Sequence, residues 1–390
     1  MKTNSRIFMA LMLALLATSC KNKDDHMLTV INEDGTCSRE YTFKTTQQWL
    51  AASADEDYDS IIDKSWERTW SVQGTDSVRY PVPLTEAQLD SMQELDLNKP
   101  LGNMLLVHAK KTYDSVEEMS AELYRSESHH LKKVEGIKAT STLEKSFKWF
   151  YTDYTFSETF TYEGEPIFPI PLSDFMSADT ASFWFTGQPD LTQYLSGAEQ
   201  KELLDKIEKK ISQWSNANWF YEICNIIIDN YDSIQNTPVS KERFTCLRDS
   251  LVMQPSVLNG NAEDSDPMAF LSQIEGILLT DVYTNFLKTY KGGPAQYERL
   301  LSFGYPYDLV MPGSVTDAGM GEYDGKVIHY QLGGERLIPG PYTITASSRV
   351  ANVWAYIVTA LIILLAICSL LLRKKDNRSV KMIDTFSESI

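Results

Sequence analysis

Histidines, the residues most often used for acid–base chemistry and metal binding, are few in this sequence and form no recognisable site. His129 and His130 are adjacent, and Glu127 lies just before them. Adjacent side chains point in divergent directions and no third ligand follows at a zinc-site spacing, so a solvated loop is the better interpretation. His108 lies in an apolar segment, where we expect a hydrogen-bonded core residue. The histidines therefore predict no metal site.

One acidic segment has the spacing of calcium ligands. Asp55, Asp57 and Asp59 alternate along the chain as the first ligands of an EF-hand loop do. That loop also requires a glycine and a later carboxylate, at positions where this sequence has Ser60 and Trp66. We therefore interpret the segment as a solvated acidic loop and expect no cofactor.

Motifs that identify common enzyme classes are absent from the sequence. It contains no HExxH, no Gly-x-Ser-x-Gly, no Walker phosphate loop and no dinucleotide-binding glycine fingerprint. Acidic pairs are frequent, but they are expected by chance among 53 Asp and Glu. The sequence therefore favours a protein that is not an enzyme, and a hydrolase with a scattered site is the third of three hypotheses.

The cysteines differ in location and share no metal-binding motif. They are Cys20, Cys37, Cys224, Cys246 and Cys368. Cys224 precedes a predicted turn at residues 236–238, and Cys246 follows it on the next predicted helix. In an antiparallel helix pair these two thiols would lie at a similar height, so we predict a disulfide between Cys224 and Cys246.

The first twenty residues predict export and lipidation. Lys2 begins a positive segment that is followed by an apolar stretch too short to span a membrane. The sequence Ala17-Thr18-Ser19-Cys20 resembles the lipobox of bacterial lipoproteins, in which cleavage precedes a cysteine that carries a diacylglycerol. The resemblance implies a signal peptide at residues 1–19 and a lipid-anchored linker at residues 20–26. The alternative is an ordinary signal peptide that happens to contain this cysteine.

Residues 350–372 predict a transmembrane helix. The segment has no charged side chain, and at ~1.5 Å per residue it reaches ~34 Å, enough to cross a hydrocarbon core of ~30 Å. Basic residues crowd the segment after Leu372, whereas only Arg349 precedes it directly. The positive-inside rule then puts residues 373–390 in the cytoplasm. The body, residues 27–348, is expected to be periplasmic, at the bacterial inner membrane.

We predict an α+β fold for the exported body, with a sheet built from its N- and C-terminal segments. The opening residues alternate as a hairpin around Asp34-Gly35, a pair that favours a two-residue turn and would set Leu28 opposite Tyr41. With both ends tethered to one membrane, the strand from Met27 and the strand ending at Ser348 should run in opposite directions in one antiparallel sheet.

Residues 143–162 have the strongest strand pattern, with aromatic residues in two phases. The phase changes at Thr152-Asp153, where a bulge or a tight turn would keep the aromatic side chains on one face. Such a row could stack against a ligand, but the core face of a sheet is the expectation.

The segment at residues 198–303 predicts a helical insertion. Apolar residues at helical spacing indicate one long helix or a kinked pair between Leu204 and Ile234, and Ser240 is the predicted N-cap of a second helix. A third helix is predicted to begin at Asp266-Pro267 and to end near Gly292.

Short segments at both ends of the body resemble the LppM-type membrane-anchored lipoprotein domain. They are LTVINEDGTCSREYTF, MPGSVTDAG, GKVIHYQL and YTITASS, the last just before the membrane segment. The resemblance covers about a third of the chain, and residues 149–304 and His329-Tyr330 depart from the pattern. It implies an exported α+β domain with one C-terminal span, and it supplies no catalytic residues.

Charge and anchoring limit the partners. The formal net charge of −17 would repel nucleic acid, which we exclude as a partner. The expected partners are membrane lipids and membrane-proximal envelope proteins. The leading hypothesis is a non-enzymatic envelope lipoprotein with a binding or assembly role at the outer face of the inner membrane, and the alternative is a binder of lipid or a small apolar ligand.

Overall fold

The computed structural model describes most of the body and the apolar segment that follows it. The described residues are 26–46, 49–50, 66–73, 78–82, 105–127, 130–164, 168–260, 270–290, 300 and 303–387. Several sequence predictions lie outside these residues: the signal peptide with Cys20, the acidic segment at 55–59, His129 and the helix start at Asp266.

The fold is α+β, as predicted. The strands are β1 (His26–Ile31), β2 (Cys37–Thr45), β3 (Glu67–Val72), β4 (Tyr80–Pro81), β5 (Leu105–Tyr113), β6 (Tyr124–Glu127), β7 (His130–Lys133), β8 (Ile137–Phe147), β9 (Tyr151–Tyr162), β10 (Gly304–Val310), β11 (Ser314–Asp317), β12 (Glu322–Tyr323), β13 (Ile328–Gly333) and β14 (Tyr342–Ala351). The helices are α1 (Val116–Ser120), α2 (Ala178–Thr186), α3 (Gly197–Asp229), α4 (Lys241–Leu251), α5 (Pro255–Leu258), α6 (Leu271–Leu278), α7 (Val282–Thr289) and α8 (Val353–Ser387).

Two sheets pack face to face in the body. The large sheet has the order β12-β13-β10-β1-β2-β5-β3-β4, the small sheet has the order β11-β14-β9-β8, and β6 and β7 form a separate hairpin. Alternate residues of both sheets, such as Tyr41, Phe156 and Tyr307, are at most 1% exposed and share one core. This alternation arises because successive side chains of a strand point to opposite faces.

Helix α8 is long and apolar enough to cross a membrane. Its segment Val353–Leu372 has 20 residues and a mean hydropathy of 2.8. The helix begins three residues later than the predicted segment, because β14 extends to Ala351 and pairs with β9 along its whole length. Only Asn352 separates the last strand from the helix. We call this end of the small sheet the membrane end.

The opening hairpin is confirmed, but its predicted register is wrong. Met27, and not Leu28, is opposite Tyr41, and Ile31 pairs with Cys37 across a longer loop. Inside this loop the Asn32 amide donates to the Thr36 carbonyl oxygen at 2.9 Å. A shift by one residue turns every side chain to the opposite face, and this register buries Met27 and Tyr41 together in the core.

The prediction that the first and last strands share one antiparallel sheet is wrong. Strand β1 lies in the large sheet, where it is parallel to β10, and β14 lies in the small sheet. The carbonyl oxygen of Glu33, in the loop after β1, accepts hydrogen bonds from Tyr154 Oη at 2.9 Å and Lys145 Nζ at 3.1 Å, both near the membrane end. Strand β1 therefore runs toward the membrane end, as β14 does, and starts at the distal end. Strand pairing and burial decide this direction, and a tether at each end of the body does not.

The aromatic segment is a hairpin of two long strands. Strands β8 and β9 pair from Ile137↔Tyr162 to Phe147↔Thr152. The turn lies at residues 148–150, before the predicted change of phase at Thr152-Asp153. The aromatic residues of β9, such as Phe156 and Phe160, are core residues as expected, whereas those at the turn are exposed.

The helices form a second hydrophobic core at the distal end of the sandwich. Helix α3 is one continuous 33-residue helix with a capping box at Ser196 and Glu199. The third predicted helix is instead two helices, α6 and α7, because Leu279 adopts φ 55° and ends α6 in a left-handed cap. Helix α2, which precedes the predicted insertion, contacts the turn Gly334–Leu337 after β13. Strand β13 runs away from the membrane end, so the helical core is distal.

The predicted disulfide is not formed in the structure. Cys224 and Cys246 are both free, the first buried and the second exposed. On α4 the buried residues are Phe244 and Leu247, and Cys246 lies about 100° from Leu247 and about 200° from Phe244 around the helix. The sequence placed the two cysteines at similar heights, but only one of them faces the shared core.

Candidate functional site

Three of the five histidines lie on the outer face of the large sheet. His26 is opposite Thr42, Thr42 is opposite His108, and His329 is opposite Asp308 in the ladders. These residues are far apart in the sequence, and only strand order and register bring them onto one face. We call this surface the polar face.

Asp308 joins two histidines at the exposed part of the polar face. Its carboxylate oxygens lie 2.8 Å from His26 Nε2 and 2.7 Å from His329 Nδ1. His329 Nε2 also lies 3.4 Å from Asp324. The hydrogen bond to Asp308 raises the pKa of His329 above its ordinary value. Burial opposes ionisation of Asp308, but the two histidines outweigh it and lower the pKa of Asp308.

Ser71, His108 and Glu40 have the order of contacts found in a serine hydrolase. Ser71 Oγ lies 2.8 Å from His108 Nε2, and His108 Nδ1 lies 3.3 Å from Glu40 Oε1. A catalytic serine must be open to its substrate. Here Ser71 is 0% exposed, and Glu40 accepts two hydrogen bonds from Arg79 at 2.8 Å. This arrangement fits a buried polar network that stabilises the sheet better than it fits a catalytic site.

The same network fixes the charge of Glu40. Burial raises the pKa of this carboxyl, but hydrogen bonds from His108 and Arg79, together with their charges, lower it to about 2. Thr42 Oγ1 also lies 3.0 Å from His108 Nδ1. His108 is therefore the hydrogen-bonded, buried residue that its apolar surroundings in the sequence predict.

A second charged group lies between the two sheets. Arg39 Nη2 contacts both carboxylate oxygens of Glu158 at 2.8 Å, and both side chains are fully buried. Tyr307 Oη donates to Glu158 at 2.8 Å, and Arg39 Nε donates to Thr29 Oγ1 at 3.2 Å. Burial and the neighbouring carboxylate raise the pKa of Tyr307 well above its ordinary value. The group links β1, β2 and β10 to β9.

A cluster of exposed aromatic side chains lies at the membrane end of the body. Phe147, Trp149 and Phe150, at the β8–β9 turn, are 58%, 46% and 38% exposed. They contact Trp354 and Tyr356 of α8, with ring centroids 5.3 Å apart for Trp149–Trp354 and 4.8 Å for Phe150–Tyr356. No local pattern in the sequence indicated that the hairpin residues lie beside α8.

Asn352 connects this turn to α8. Its side-chain amide donates to the carbonyl oxygens of Lys148 at 2.7 Å and Trp149 at 3.3 Å, and its backbone amide donates to Phe150 at 2.9 Å. Thr152 Oγ1 donates to the Asn352 side-chain oxygen at 3.1 Å. The single residue between body and helix is therefore held by the hairpin.

Among the described residues, no group of three or more His, Cys, Asp or Glu side chains could hold a metal ion. Comparisons with protein-family models, with curated proteins and with solved structures found no match to this chain.

Proposed function

We propose that this protein is a non-enzymatic envelope protein that binds or assembles membrane-proximal proteins at the outer face of the bacterial inner membrane. The observation that carries the proposal is the junction at Asn352. A body attached by one hydrogen-bonded residue has no flexible linker, so it stays close to the bilayer and in a defined orientation. Partners must then reach it at the membrane.

The proposal includes the orientation of the chain in the membrane. Residues 1–19 act as an export signal, Cys20 carries a lipid, the body is periplasmic and residues 373–390 are cytoplasmic. The support is the lipobox-like sequence and the basic residues that follow α8. Kinship with the LppM-type domain is also part of the proposal, and it rests on the short segments at the two ends of the body.

Packing favours this function over the two alternatives. The ligand-binding hypothesis relied on an aromatic sheet face, but Phe156 and Phe160 of that face are 0% exposed and pack against the large sheet. The hydrolase hypothesis needs an accessible nucleophile, and Ser71 is buried.

Photocrosslinking in intact cells tests the proposal. Ser146 and Thr140 are both exposed on β8 and point to the same side of the strand, but Thr140 is ~20 Å farther from the membrane end. We expect p-benzoylphenylalanine at position 146 to form discrete adducts with envelope proteins, and the same probe at position 140 to form few. Adducts at position 140 with none at position 146 would contradict a membrane-proximal partner.

A further inference from the structure

We propose that the β8–β9 turn, residues 147–150, inserts into the outer leaflet beside α8. Its partner is the lipid bilayer itself, at the boundary between headgroups and acyl chains. This inference rests on the proposed membrane attachment of α8 and adds a second membrane contact, made by the body. We call these four residues the hairpin tip.

The depth of the hairpin tip follows from one hydrogen bond. Trp149 Nε1 donates to Thr359 Oγ1 at 2.9 Å. The apolar segment Val353–Leu372 has 20 residues, which at ~1.5 Å each span ~30 Å, the thickness of the hydrocarbon core. Thr359 lies six residues, ~9 Å, below the outer end of that segment. With α8 across the membrane, the Trp149 indole is below the level of the headgroups.

The side chains of the hairpin tip suit that environment. Phe147, Trp149 and Phe150 are large and exposed. Trp is enriched where the membrane meets water, and Phe is common on apolar surfaces that lie in that interface. Phe147 stacks on Trp354 with a centroid distance of 6.3 Å and an interplanar angle of 6°. The hairpin tip and the first turns of α8 therefore form one continuous aromatic surface.

Entry of the hairpin tip into an apolar phase is favoured because the backbone carbonyl groups at the turn are paired. In lipid, an unpaired backbone carbonyl costs several kcal/mol. The carbonyl oxygens of Lys148, Trp149 and Phe150 all accept hydrogen bonds from Asn352. The Lys148 amide donates to Tyr151 at 2.8 Å, which closes the turn. The long stem of Lys148 allows its ammonium to return to the headgroups.

Polar side chains resume at the level where headgroups are expected. Arg349 Nε donates to Asp153 at 2.7 Å, and its guanidinium lies 3.9 Å from the centre of the Tyr151 ring. Arg349 is three residues, ~10 Å, before Asn352 along β14. An ion pair thus lies next to the apolar hairpin tip, at the height of the headgroup layer, as expected for a segment that inserts only partly into the membrane.

Quenching of tryptophan fluorescence by brominated lipids tests the inference. The full-length protein is reconstituted into phosphatidylcholine vesicles whose acyl chains carry bromine at a shallow or at a deep position. Wild type is compared with Trp149→Phe, Trp354→Phe and, as a matched control, Trp184→Phe on the distal helix α2. Circular dichroism checks the fold of each variant, and Trp149→Tyr replaces Trp149→Phe should the latter not fold.

We expect Trp149→Phe to lose emission that the deeper bromine quenches in the wild type. We expect Trp354→Phe to lose emission that the shallower bromine quenches. Trp184→Phe should keep all quenching. Unchanged quenching in Trp149→Phe with a loss in Trp354→Phe overturns the inserted hairpin tip alone and points to a protein covering it. Unchanged quenching in both variants overturns the membrane attachment of α8 as well.

Discussion

At the scale of single residues, the buried charges between the two sheets are paired across strands that are 119 positions apart in the sequence. Arg39 and Glu158 are 0% exposed and come from different sheets. An isolated charge at such a site would be very unfavourable, so the two sheets can dock only where these residues meet. We infer that the pair specifies the alignment of the sheets more than it stabilises them.

Replacing one member of this pair should destabilise the protein strongly. We expect Arg39→Met to lower the free energy of unfolding by about 3–5 kcal/mol, because Glu158 is left buried without its partner. The double variant with Glu158→Met should lose less than Arg39→Met alone. Arg349→Met, which breaks an exposed pair with Asp153, is the control and should lose less than ~1 kcal/mol. Denaturant unfolding in detergent measures all three, and equal losses for Arg39→Met and Arg349→Met would refute this account.

Glu40 should make the stability of the body depend on pH under acidic conditions. Its pKa is lowered from 4.5 to about 2 in the folded protein, so its contribution is present above pH ~4.5 and is lost as the pH falls toward 2. The contribution is at most about 3 kcal/mol.

The measurement is the difference in free energy of unfolding between wild type and Glu40→Gln as a function of pH. We expect this difference to be largest near neutral pH and to shrink between pH ~4.5 and 2. Glu202→Gln removes an exposed pair with Lys206 on α3 and should change little. A difference for Glu40→Gln that is constant with pH would contradict the ionised, hydrogen-bonded carboxylate.

At the scale of elements, helical periodicity located α3 and α4, but the orientation of each helix around its axis came from packing. Helix α3 buries Trp214, Phe220 and Cys224 against the second core. Helix α4 turns Cys246 to solvent. Burial raises the pKa of the Cys224 thiol, and it raises that of Cys37 to about 12, so both thiols should be unreactive in the folded protein.

Thiol labelling checks the orientation of these helices. With maleimide, followed by mass spectrometry of peptides, Cys246 should react in the native protein, and Cys224 and Cys37 only after denaturation. Labelling of Cys224 and Cys246 that appears only after a reductant is added would show that the two form a disulfide after all.

At the scale of the whole molecule, the sandwich has two unlike ends. The helical core lies at the distal end, and the aromatic hairpin tip lies at the membrane end beside α8.

An active alkaline phosphatase requires the periplasm, so a fusion after Ile390 should be inactive and a fusion after Gly340, in the body, should be active. An active fusion after Ile390 would reverse the proposed topology.

Lipidation at Cys20 has a geometric consequence. Strand β1 begins at the distal end, and Glu158, at the level of Thr29 and Tyr307, is seven residues, ~23 Å, from the start of β9 at the membrane end. The six residues from Cys20 to His26 reach at most ~20 Å. His26 is three residues, ~10 Å, farther from the membrane end than Thr29, so even a fully extended leader would be too short. Acyl chains in the same leaflet as α8 would therefore need a body tilted toward the membrane.

Radiolabelled palmitate tests this modification directly. Label should enter the wild type and be absent from Cys20→Ala, whereas Cys37→Ala, a control cysteine in the body, should label as the wild type does. Equal labelling of wild type and Cys20→Ala would mean that the lipobox-like sequence is not used.

Local patterns in the sequence were enough to predict the α+β class, the apolar C-terminal helix, the opening hairpin, the aromatic strands and the long helices of the insertion. Each of these depends on periodicity, charge or turn residues within a short window, such as the apolar run before Arg373 or the N-cap at Ser240. Two local predictions failed where a competing local choice was nearly equal: the register at Met27 and the turn near Thr152. At Met27 burial in the shared core decided the register, whereas the aromatic residues at the turn are exposed and contact α8.

Only the tertiary structure decided which residues meet. Strand order puts His26, His108 and His329 on one face, joins Arg39 to Glu158 across the core, and sets β1 and β14 in different sheets. It also brings the hairpin tip to α8, where Trp149 reaches Thr359 across 210 positions of sequence. Such contacts depend on the pairing of distant strands. That pairing is selected by the burial of whole faces, and no single segment of the chain contains the information.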